Sequence, residues 1–206
     1  MDADEIHQHT VSQRAALTEL LASLTPQEWE HESLCELWSV RQVAAHVTCS
    51  PDPSLAEVAV ALVRARGRFE RALHLMAVRR AERPTDEIVA LHRRLETSRR
   101  RPPGTTPVEP LIDVLVHTQD IARPLGRPMP IDPGLAAACA ERVWARPFPY
   151  RARERLAGVR LVATDTDWSA GEAEEVRGST EDLLLLMTGR RSVIPALSGE
   201  GLVQLA

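Results

Sequence analysis

Residues 111–126 read LIDVLVHTQDIARPLG, and the reading of this stretch decides the fold. Apolar residues fill most positions from Leu111 to Ile121, the texture of a helix buried on nearly every side. Yet the same stretch carries Asp113, His117 and Asp120. At about 100° per residue, with Asp113 at zero, His117 falls near 40° and Asp120 near 340°. The three ionisable groups therefore form one narrow stripe. Burying them unpaired costs several kcal/mol, so the fold must supply partners.

Two kinds of partner stay open at this point. A divalent metal is one, because side chains at i and i+4 converge on a single ion when facing bundle helices supply ligands. His46, in VRQVAAHV (residues 40–47), is the natural third ligand, since the small residues around it let a neighbouring helix approach closely. Two imidazoles and a carboxylate leave a fourth position open, as catalytic rather than structural zinc sites do. The other partner is internal: Asp113 and His117 pair with each other, or with an arginine. Asp120 likewise either orients an imidazole or bonds Arg123 or a nearby backbone N–H.

Outward from this helix, the first half of the chain reads as helical. Apolar positions from Val11 to Leu24 recur at spacings of three and four, predicting one amphipathic helix over Asp4–Leu24. Thr25-Pro26 closes it and opens a short turn carrying Trp29. Ser39 with Gln42 forms a capping box for the helix that bears His46, and Ser50-Pro51-Asp52-Pro53 ends it. Ser54 is the expected cap of a long helix through about Ala81, and Thr85 that of a shorter one to Thr97. RRRPPGTTP (99–107) is a loop.

After Pro128 the texture changes. A short helix over DPGLAAACAERVWA and a Pro-interrupted connection precede VRLVAT, which alternates like a strand. Ser179 with Asp182 caps LLLLM, and GLVQLA at the end is expected to be a strand. The division is a helical bundle over residues 1–128 and a small α+β subdomain over 129–206.

The 206 residues suffice for such a division, and all 25 basic residues are arginine. A formal net charge of −4 argues against a nucleic-acid binder, which carries a concentrated basic surface. The arginines of residues 93–101 read as a solvated loop. No secretory signal and no membrane-spanning run is visible, and Cys35, Cys49 and Cys139 are too few for a disulfide scaffold. The expectation is a cytoplasmic protein. The cysteines show no arrangement that supplies a nucleophile. Cys49, three residues after His46, reads as a buried spectator thiol. His7 and His9 read as surface residues, and His74 and His92 as structural. Trp29, Trp38, Trp144 and Trp168 read as core or hinge anchors. No phosphate loop, hydrolase triad order or dinucleotide fingerprint is present.

Three ordered stretches resemble one family. SLCELWSVRQVAAHV (33–47), DVLVHTQDIARPLG (113–126) and GVRLVATDTDWSAG with EVRGSTEDLLLLMTGR (158–190) are similar to the actinobacterial mycothiol-dependent maleylpyruvate isomerases, of the DinB-like thiol-dependent metalloenzymes. The resemblance implies a mainly α fold, a DinB-like four-helix bundle with a small C-terminal α+β subdomain. It implies a metal, usually zinc, on His46, Asp113 and His117, with mycothiol as thiol cosubstrate and a small electrophile as substrate. Asp120 would stand behind one ligand imidazole. The implied activity is thiol addition to an activated double bond, rotation and thiol expulsion, or transfer that keeps the thioether. A catalytically silent small-molecule binder or regulator on the same bundle is the alternative. The chain departs from the pattern at Asp113, where the isomerase has glutamate, and at Gln42, often aspartate. The shorter Asp113 could ligate through water or leave coordination to the imidazoles.

Overall fold

The polar stripe is built into a helix by local signals at both ends. In the computed structural model, which describes residues 1–52, 55–102 and 104–205, the helix runs from Val108 to Ala122. Thr106 donates its backbone N–H and its hydroxyl to Glu109 Oε2 at its start, both at 2.6 Å. Pro124 cannot continue it, and Gly126 turns the chain at φ 63° so that Arg127 N–H reaches Ala122 O at 3.0 Å. We number it α7 after six earlier helices: α1 (Ala3–Ala22), α2 (Pro26–Trp29), α3 (Val40–Val47), α4 (Leu55–Arg64), α5 (Phe69–Ala81) and α6 (Thr85–Leu95).

The chain forms two compact units, Met1–Met129 and Pro130–Ala206. In the first, α7 packs on α1 and on α3, α3 packs also on α5, and α6 lies on α1. Leu111, Ile112, Val114, Leu115 and Ile121 of α7 are buried, each worth about 1.5–3 kcal/mol when fully removed from water. Helix α3 is capped by the predicted box: Ser39 Oγ accepts from Gln42 N and Gln42 Oε1 from Ser39 N. Its other end is held by the buried Arg80 of α5, whose guanidinium donates to Thr48 O (2.8 Å) and Asp52 O (2.7 Å). A cation there also suits the helix dipole. His92 of α6 donates from Nε2 to Ala44 O at 2.9 Å, fixing α3 from a third side.

Two local expectations are corrected here. The long third helix is two: the chain breaks at Arg66 (φ 53°) and Gly67 (φ 75°), a left-handed pair that no helix tolerates. Thr85 is the first residue of α6 rather than its cap; Pro84 precedes it and no side chain caps the helix. Ser54 lies outside the described residues.

The second unit holds α8 (Pro133–Ala145), α9 (Ala152–Arg155), α10 (Thr180–Met187) and a three-stranded sheet. Strand β1 (Val159–Ala163) is central, antiparallel to β2 (Ser169–Gly171) and parallel to β3 (Glu174–Gly178). Leu161 stands opposite Ala170 on one side and Val176 on the other. Helix α10 packs on α8, with Leu183 to Met187 all buried. The expected terminal strand is instead a 3-10 helix, Glu200–Leu205, lying on β3. Gly199 (φ 112°) and Gly201 bring it so close that a Cβ at either would meet Glu174 or Glu175 carbonyl oxygens within 3 Å. The fold is mainly α, a helical bundle with a small C-terminal α+β part.

Candidate metal centre

Helix α7 presents Asp113 and His117 one turn apart, and α3 presents His46 against them. The His46 and His117 rings stand 4.9 Å apart, nearly perpendicular at 81°. His117 Nε2 lies 3.6 Å from Asp113 Oδ1. One ligand atom from each of His46, Asp113 and His117 lies within 4.8 Å of the others, and all three side chains remain partly open to solvent. Two imidazoles and a carboxylate at this spacing fit a divalent ion with room for an incoming ligand.

Asp120 is fully buried, and its Oδ2 accepts from His117 Nδ1 at 2.8 Å. The contact leaves Nε2 as the nitrogen that faces Asp113. Burial alone would push the His117 pKa down. Its hydrogen bonds to Asp120 and Cys35, with the fields of Asp113 and Asp120, raise it to about 10 instead. In the metal-free chain His117 therefore carries a proton at neutral pH. Arg14 of α1, buried and donating to Leu95 O and Ser98 O, also feels Asp113: burial lowers its pKa and the Asp113 charge offsets part of that.

The loop between α2 and α3 completes the site, and here the sequence reading fell short. Cys35 lies against the stripe, its thiol donating to Asp120 Oδ2 at 3.0 Å with Sγ 4.0 Å from His117 Nδ1. Nothing in the sequence announces this contact, and only Cys49 reads there as a spectator. None of the three is in a disulfide. The loop is anchored to α7 by Leu34 N–H donating to Asp120 O at 3.1 Å. Trp38, read from sequence as an anchor, packs edge-on against His46 (centroids 5.1 Å, 74°) and tilted against His74 (5.5 Å). The one sequence cue for this loop was its position just ahead of the Ser39 cap.

The remaining candidates separate cleanly. Cys49 is buried among Ala61, Ala65, Ala72 and Met76. His92 is the structural tie described above. Arg99, Arg100 and Arg101 are exposed around a cleft of about 210 Å³ that His7 also lines, and Arg99 pairs with Asp4 at 3.0 Å. Among the described residues no helix is long and apolar enough to cross a membrane.

No protein-family model and no curated protein matches the chain. Among solved structures, the mycothiol-dependent maleylpyruvate isomerase superposes with a TM-score of 0.69 over 97% of this chain and 93% of its own, at 15% identity. A histidine-to-alanine mutant of that enzyme gives the same values. At that identity the likeness is one of fold.

Proposed function

We propose that this protein is a metal- and thiol-dependent enzyme of the maleylpyruvate isomerase type, an isomerase or S-transferase acting on a small electrophile. The observation that carries the proposal is the convergence of His46, Asp113 and His117, three ligands that leave a tetrahedral ion one position to fill. The fold shared with a mycothiol-dependent isomerase supports it. Zinc suits the donor set, mycothiol is the proposed thiol, and a reducing cytoplasm suits three cysteines without a disulfide.

The chain's own residues supply positioning. His46 and His117 would hold the ion, with Asp113 as third ligand. Asp120, by accepting the Nδ1 proton of His117, fixes the ring so that Nε2 presents its lone pair once deprotonated. Trp38 packs edge-on against His46 and limits the orientations of its ring. A zinc ion bound there would deprotonate a coordinated thiol at neutral pH and so supply a thiolate nucleophile.

The test is turnover by zinc-loaded protein of a maleyl-type enone acid or an alkylating agent, with and without mycothiol. Turnover that needs both metal and thiol is expected. Thiol-independent turnover would point to metal-activated water instead, and no turnover under any condition would favour a silent binder.

A further inference from the structure

We infer that Cys35 is a positioning residue of the metal centre, its thiol holding the Asp120 carboxylate that in turn orients His117. The inference rests on the metal reading above and adds a residue to it.

Asp120 is fully buried, so its charge must be met by donors. Two hydrogens converge on the same oxygen, Oδ2: the His117 Nδ1 proton at 2.8 Å and the Cys35 thiol proton at 3.0 Å. With both in place, the carboxylate cannot rotate without breaking one of them. The His117 ring is fixed through the same atom.

The thiol is itself fixed. Ser33 Oγ accepts from Cys35 N at 3.1 Å and donates to Trp38 O at 2.8 Å, while Trp38 N–H reaches Cys35 O at 3.0 Å. This knot of short contacts, tied to α7 through Leu34, sets where Sγ sits.

Cys35, His117 and Asp120 could also be read as a metal site in their own right. The distances decide against it. Separations of 2.8 and 3.0 Å are hydrogen-bond lengths. Two donors on one tetrahedral ion stand about 3.3 Å apart or more, given metal–ligand bonds of about 2.0–2.3 Å. Cys35 also approaches the Nδ1 side of His117, whereas Asp113 faces Nε2. An ion on Nε2 is not within the thiol's reach.

The experiment compares zinc affinity, by competition with a chromophoric chelator, in wild type and in Cys35→Ala, Cys35→Val and Cys35→Ser. Melting curves check that each variant is folded. Loss of the donor in Ala and Val should weaken zinc about 10-fold, the low end for a partner behind a ligand, and Ser, which keeps a donor, should recover most of that. Wild-type affinity in the Val variant would show that Cys35 merely fills space and would overturn the inference. So would a thiolate-to-cobalt charge-transfer band in the cobalt-loaded wild type that vanishes in Cys35→Ala, since that makes Cys35 a ligand. Should wild type take up no metal, the functional reading falls by itself. The His117 ring ¹⁵N shifts of metal-free protein then still decide: shifts that move in Ala and Val and return in Ser support the thiol's role, and identical shifts throughout refute it.

Discussion

Helices α7 and α10 are made of nearly the same material, and the difference between them locates the chemistry. Both are apolar around most of their circumference, and both are largely buried. In α10 the polar groups belong to its first turn: Ser179 caps it, and Thr180 bonds Asp165 through N–H (2.8 Å) and hydroxyl (2.5 Å). Beyond that turn lie only four leucines and a methionine. In α7, past Glu109 in the first turn, the ionisable groups Asp113, His117 and Asp120 lie farther along the helix, where no backbone N–H is left over to satisfy them. Their partners include one another, an imidazole from α3, a thiol from a loop and the charge of Arg14 on α1. Polar groups that finish a helix end serve the fold, and polar groups that interrupt a helix middle need a reason outside it.

The comparison breaks if the helices respond alike to truncation. His117→Ala should lower zinc affinity by at least about 100-fold, more than loss of a partner behind a ligand does, and should also cost about 1–3 kcal/mol in urea unfolding, because the buried Asp120 carboxylate loses a donor. Leu184→Ala in α10 should act on stability alone: a loss of about 2–5 kcal/mol in urea unfolding, with the folded fraction still binding one metal. A His117 variant that keeps full metal content would remove the basis for setting α7 apart.

His92 sharpens the contrast, because it is an imidazole buried for structure alone. Burial pushes its pKa down to about 4, Arg14 adds to the fall, and only its bond to Ala44 O opposes. The unfolded chain takes up this proton near pH 6.5, well before the folded chain does. Stability should therefore fall as pH drops from about 6.5 to about 4, by about 3 kcal/mol in all. Urea unfolding at pH 7 and 4.5 measures it, and His92→Gln should show a shallower loss. A smaller effect is expected at Asp120→Asn: zinc binding weaker by about 10–100-fold, or about 1–3 kcal/mol, read by chelator competition. An unchanged affinity would mean that His117 needs no help from Asp120.

Much of the bundle and most of the candidate site were legible in the sequence, because both rest on periodic or capping signals. The spacing of Asp113, His117 and Asp120 placed them on one stripe, and Ser39 with Gln42 marked the start of the His46 helix. What the sequence hid depends on contacts between distant or irregular segments. Arg66 adopts a left-handed backbone that nothing in LVRARGRFE announces beyond a single glycine. GLVQLA has the alternation of a strand but packs on β3 as a 3-10 helix through close approaches at Gly199 and Gly201. Cys35 stands in a turn with no repeat, and long-range ties to Asp120, from the Leu34 N–H and from its own thiol, carry it to α7.

That turn has a consequence for how the protein can vary. Between Cys35 and Trp38 the chain reverses through Leu37, at φ 66° and 96% exposed, so two side chains three residues apart reach two different imidazoles. A change at either end shifts the shared backbone and is felt at both rings. The effects of Cys35→Ala and Trp38→Ala should therefore be epistatic rather than additive, with a coupling of about 0.5–3 kcal/mol.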